Sequence, residues 1–143
     1  MISRSAIRFA AAFSALLAGP ALAADPTVHF IGLETGAIVA SPLTVRFGLS
    51  GMGVAPAGTE KDGTGHHHLL IDRAPWGQGP DDAGHADTGL PADDRIRHFG
   101  GGQTEVTLTL APGPHSLQLL MGDAYHVPIA PTVASARIEI TVR

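Results

Sequence analysis

The chain has 143 residues, a formal net charge of −4, eight histidines and no cysteine. An acidic balance excludes nucleic acid and anionic membrane surfaces as partners held by charge. Without cysteine there are no disulfides and no thiolate ligands, so a metal must take nitrogen or oxygen, with the thioethers of Met52 and Met121 as the only sulfur beyond Met1. The first predicted element is a leader over residues 1–23. It has bases at Arg4 and Arg8, an apolar run from Phe9 to Leu17, and the small-x-small ending Ala21-Leu22-Ala23. This order is that of a secretory signal peptide, and the run is shorter than the roughly 20 residues that span a bilayer. Cleavage after Ala23 removes two bases and leaves a chain of net charge −6, with residues 24–143 as one domain and no further membrane span.

From residue 28 onward the dominant signal is alternation of period two, which places every second side chain on one face of a strand. Val28 to Leu33 and Ala37 to Ala40 are short strand candidates around the turn Glu34-Thr35-Gly36. Leu43, Val45, Phe47 and Leu49 alternate with Thr44, Arg46 and Gly48, after Ser41-Pro42, which is expected to start an edge strand. Gly51 to Gly65 is a glycine-rich loop. His67 to Asp72 is the next strand, and Arg73 to Arg97 is a long irregular segment with Trp76 and five aspartates. A loop of that length is functional or mobile in most compact domains. Val106, Leu108 and Leu110 form a strand, and Ala111-Pro112-Gly113-Pro114 is a tight reversal into Leu117, Leu119 and Met121. Ala136, Ile138, Ile140 and Val142 close the chain. No segment has sustained helical periodicity. The predicted fold is an all-β, single immunoglobulin-like β-sandwich of about seven strands.

The histidines carry the functional argument. In Gly65-His66-His67-His68-Leu69-Leu70-Ile71-Asp72, strand parity sets His66, His68 and Leu70 on one face and His67, Leu69 and Ile71 on the other. Leu69 and Ile71 are core-like, so His67 is expected inward, and His66 and His68 outward or under a covering loop. Two imidazoles at i and i+2 lie about 6–7 Å apart at Cα, within reach of one ion. His98 precedes Phe99-Gly100-Gly101-Gly102, and His126 follows the turn residues Gly122-Asp123. Neutral imidazole suits Cu(II) and Zn(II), so His66, His68, His98 and His126 are the candidate ligands. His67, Asp72, His115 and Asp123 are candidates for the surrounding shell, the carboxylates orienting rings. His29 and His85 read as surface residues. The same rings also suit a purely structural role, as a buried hydrogen-bond network that fixes the glycine-rich loops.

Other chemistry is poorly served. Gly100-Gly101-Gly102 is followed by no Lys-Ser/Thr and opens no helix, which excludes a phosphate loop. No serine sits in a Gly-x-Ser-x-Gly elbow. Asp81-Asp82 and Asp93-Asp94 lack calcium-loop spacing. A metal hydrolase or redox enzyme would need an open coordination position and a general base, and neither Glu105 nor Asp72 is marked for that role.

The motifs Gly51-Met52-Gly53-Val54-Ala55-Pro56-Ala57-Gly58, Gly65 to Asp72, His98 to Glu105, Pro112 to Leu119 and Gly122-Asp123-Ala124-Tyr125-His126 occur in that order. Over roughly 39–142 the chain resembles the domain-of-unknown-function family 4399 of exported bacterial proteins. The resemblance implies a periplasmic or envelope location and no particular activity. A looser, fold-level likeness is to periplasmic copper-carrier β-sandwiches, whose site uses an amino-terminal histidine. The expected mature start here, Ala24-Asp25-Pro26, has none. The expected function is therefore a periplasmic or secreted metal-binding protein for carriage or buffering, without turnover. The alternative is a non-catalytic module whose partner is an envelope protein.

Overall fold

The computed structural model describes residues 24–143, so the leader at 1–23 lies outside the described residues. The architecture is two sheets packed face to face. The smaller contains β1 (Thr27–Ile31), β3 (Leu43–Ser50) and β7 (Glu105–Leu108), ordered β1-β3-β7 and antiparallel. The larger runs β2 (Ala37–Val39), β9 (Ile138–Val142), β8 (Gly113–Gly122), β5 (Thr64–Ile71), β4 (Gly53–Val54). β6 (Ile96–His98) also pairs with β5, beside the part that β4 leaves open. One short helical turn, α1 (Asp82–His85), interrupts the long segment. Among the described residues no helix is long and apolar enough to cross a membrane.

Alternation explains the main core. Val28, Val45, Phe47 and Leu108 of the small sheet meet Leu69, Ile71, Leu117, Leu119, Met121 and Ile140 of the large one. Each such buried side chain contributes about 1.5–3 kcal/mol of transfer free energy. β9 shows the expected pattern plainly, with Ile138, Ile140 and Val142 buried and Glu139 and Thr141 exposed.

Three expectations are corrected. β3 is the middle strand of its sheet and not an edge; Pro42 precedes the first paired residue, Leu43, so its missing N–H interrupts no ladder bond. The Ala111–Pro114 reversal links strands of different sheets, because β7 pairs with β3 whereas β8 pairs with β5 and β9. Residues 73–97 form a folded cover over the outer face of the large sheet. There Leu90 and Ile96 bury Leu70 and Leu120 in a second small core, with Trp76 and Ala134 at its margin. The cover is pinned by Asp82, 2% exposed, which accepts bonds from Arg73 Nη2 at 3.0 Å and from the amides of Gly77 and Gly79 at 2.9 Å. The Trp76 amide donates to Gln118 Oε1 of β8 at 2.8 Å. β5 and the second half of β8 are thus buried on both faces, which is why their sequences are apolar beyond simple alternation.

Candidate metal centre

The histidine cluster sits on the outer face of the large sheet, at the start of β5 and the end of β8. His66 and His68 project from that face and are fully buried. His66 stands opposite Gly122 in the ladder, and His68 is paired with Leu120 on one side and His98 on the other. Gly122 is required by this arrangement: a Cβ there would lie 2.3 Å from His68 Cε1. The glycine leaves the floor on which the His68 ring rests.

His126 comes from the loop after β8. Its φ is +66°, in the left-handed region that few non-glycine residues adopt. Such a conformation persists only where its surroundings hold it. Asp123 does so: its Oδ1 accepts the amides of Tyr125 at 2.8 Å and Val127 at 3.0 Å, and its carbonyl accepts the His126 amide at 3.1 Å. The His126 carbonyl accepts the Leu90 amide of the cover at 3.0 Å. Asp123 therefore shapes the turn through the backbone and hydrogen-bonds no ring.

Within the cluster, His66 Nε2 lies 2.9 Å and His68 Nε2 lies 3.4 Å from His126 Nδ1. One ring nitrogen from each of His66, His68 and His126 falls within 4.8 Å of the other two. Three nitrogens bound at ~2.0 Å in tetrahedral directions would stand ~3.3 Å apart, so small ring rotations would bring this group around one ion. His98 flanks the group without joining it. Its ring centroid is 4.5 Å from those of His68 and His126, and it stacks on the latter. His98 Nε2 lies 2.9 Å from the Pro91 carbonyl, which fixes that nitrogen as the N–H and leaves the lone pair on Nδ1.

Burial and mutual repulsion disfavour charge on His66, His68 and His98. Burial, reinforced by His126 and His98, lowers the pKa of His66 to about 4. Burial, with His66, His98 and His126 beside it, lowers that of His68 to about 2. His98 is lowered too, chiefly by burial. A neutral imidazole is the form that binds metal. The Nδ1 atoms of His66 and His68 are buried without a hydrogen-bond partner.

The remaining expected residues lie elsewhere. His67 points inward, fully buried between the sheets, its ring 5.1 Å from that of Phe47, with both nitrogens unpartnered. Asp72 and His115 do not support the cluster. They pair with each other at the far end of β5, His115 Nδ1 to Asp72 Oδ2 at 2.8 Å, about 13 Å along the strand from His68. His115 Nε2 also faces the Ala111 carbonyl at 2.9 Å. Burial opposes a charge on His115, but the Asp72 carboxylate and that carbonyl outweigh it and raise its pKa. Met52 and Met121 belong to the inner core, on the opposite face from His66 and His68. His29 is exposed and lies across Gly48, and His85 is part of α1. The glycine at 122 and the anchor at Pro91 are the site components that the sequence reading missed. In the sequence Gly122 reads only as part of a turn, and its place opposite His66 depends on the strand register.

No curated protein matches the chain. The family model described as "Domain of unknown function (DUF4399)" matches residues 45–143, a span that contains His66, His68, His98 and His126. With most of its length inside that match, the chain belongs to the DUF4399 family.

Proposed function

We propose that this is a periplasmic or secreted protein that binds a copper or zinc ion through His66, His68 and His126 and serves in its carriage or buffering. The observation that carries the reading is the convergence of three ring nitrogens, from two separate elements, within 4.8 Å of one another. Burial favours holding over turnover: His66 and His68 are sealed from solvent. The leader read in residues 1–23 supports export. Isothermal titration of the metal-stripped mature protein should give one ion per chain, with binding weakened at least about tenfold in His126→Ala. Affinity no higher than that of a scrambled histidine-rich peptide would overturn the proposal.

The 2.9 Å contact between His66 Nε2 and His126 Nδ1 favours a second reading. It is a hydrogen-bond length, shorter than the ~3.3 Å between ligands of one tetrahedral ion. On that reading the rings are a structural network that fixes the 123–127 turn, and the domain is an interaction module of the envelope. The same titration separates the two, because a network without an ion leaves no binding isotherm to lose.

A further inference from the structure

We infer that His98 is a positioning residue of the metal centre: together with Gly100 it sets the ring of His126, and it does not bind the ion. The inference rests on the metal-binding reading above. His66 and His68 are fixed in the β5 ladder, but His126 stands in a loop at φ +66°. A side chain on a loop has no strand neighbours to hold its ring, so its orientation depends on what packs against it.

Segment 98–100 supplies that packing. The His98 ring stacks on the His126 ring, with centroids 4.5 Å and planes 29° apart. Gly100 adds a second wall: a Cβ there would stand 3.6 Å from His126 Cε1, so the backbone passes close to the ring edge. His98 is itself held from three directions. Its backbone pairs with that of His68, its ring meets the His68 ring edge-on at 4.5 Å, and its Nε2–H donates to the Pro91 carbonyl at 2.9 Å. A ring held this firmly is a fixed surface for a neighbour that is not.

The Pro91 bond leaves a lone pair on His98 Nδ1, as in a ligand, but the stack turns it away from a shared ion. Nitrogen lone pairs lie in the ring plane, and rings set face to face direct them side by side, not at one point. His98 is accordingly no member of the group in which one nitrogen each of His66, His68 and His126 lie within 4.8 Å of one another. Binding an ion together with His126 would require His98 to swing out of the stack, and the Pro91 bond and the ladder oppose that swing.

The test uses the chain as processed on export by a bacterial host, with isotope-labelled histidine, stripped of metal and loaded with an NMR-active cadmium isotope. Each bound ring nitrogen then shows a coupling to cadmium. Couplings are expected from His66, His68 and His126 and not from His98. In His98→Ala the His126 coupling should be lost, with affinity about tenfold lower, while those of His66 and His68 persist. His98→Phe restores a flat ring without a nitrogen and should return affinity to within about threefold of the wild type. A coupling from His98 in the wild type overturns the positioning role, as does a folded His98→Phe protein as weak as His98→Ala, or a His98→Ala protein with the His126 coupling intact; in each case the metal site stands. If cadmium does not bind the wild type, the metal-binding reading falls as well.

Discussion

A methyl group at Gly122 has no room. Built on the existing backbone, it would lie 2.3 Å from Cε1, 2.9 Å from Nδ1 and 3.3 Å from Nε2 of His68. The obstacle is a ring with no exposed surface, packed against His66, His98 and His126, so it cannot swing into water. Relief requires displacing the ring or prising β5 from β8, and overpacking of this kind costs about 2 kcal/mol. For a domain of this size Gly122→Ala should lower the thermal midpoint by roughly 6–10 °C. The same displacement removes His68 from the convergent group, so metal affinity should fall with stability. Gly84→Ala is the control: it lies within α1, has open space around its Cβ, and should be neutral or slightly stabilising. Urea unfolding and metal titration on both variants read the outcome. A Gly122→Ala protein that unfolds at the wild-type midpoint and binds metal unchanged would refute the packing argument.

Acid should destabilise the metal-free protein well before its carboxylates protonate. His66 and His67 titrate at about 4 and His68 at about 2 in the fold, against 6.5 in the open chain, so below pH 6.5 the unfolded state binds more protons. Stability then falls as pH drops, by at most about 4 kcal/mol per pH unit while all three contribute; equal urea midpoints at about pH 7 and pH 5 would contradict this. The Asp72–His115 pair has a window of its own. Asp72 is lowered despite partial burial, through the Ser116 amide and His115, so its contribution is present above its ordinary value of 3.8 and lost as pH falls through the lowered one. His115 is raised, so its contribution is complete below 6.5 and lost as pH rises through the raised value. A double-mutant cycle with Asp72→Asn and His115→Gln should show its largest coupling near about pH 5 and a smaller one near about pH 9, the exposed Asp72 keeping it to about 1 kcal/mol or less. A coupling independent of pH would rule out the ionic component.

Much of the sandwich was legible because strand pairing writes itself into alternation. Leu43 to Leu49 and Ala136 to Val142 each read as one buried and one exposed face, and β3 and β9 show it. The facing of His66, His68 and Leu70 away from the main core also follows from parity. What covers that face did not follow. Leu90 and Trp76 sit in a stretch of prolines, glycines and aspartates without period, and their contact with Leu70 and Leu120 is a long-range pairing. β4 and β6 are two and three residues long, too short to display any period, and they exist because β5 offers them an edge. The grouping of Asp72 with the cluster failed for a metrical reason: closeness in sequence along an extended strand means distance in space. The Asp123 turn was located from Gly122-Asp123, but the carboxylate's duty to amides instead of rings depends on geometry that composition does not carry.

His66 and His68 of β5 and His98 of β6 are built into one ladder, whereas His126 stands in a loop whose tie to the cover is its carbonyl, which accepts the Leu90 amide. The ladder rings and the loop ring therefore obey different clocks. The ladder rings move only when the sheet comes apart, and the His126 ring moves whenever a short strap of chain loosens. Were an ion held as proposed, its escape would be governed by the strap, and its residence time would be decoupled from the stability of the domain.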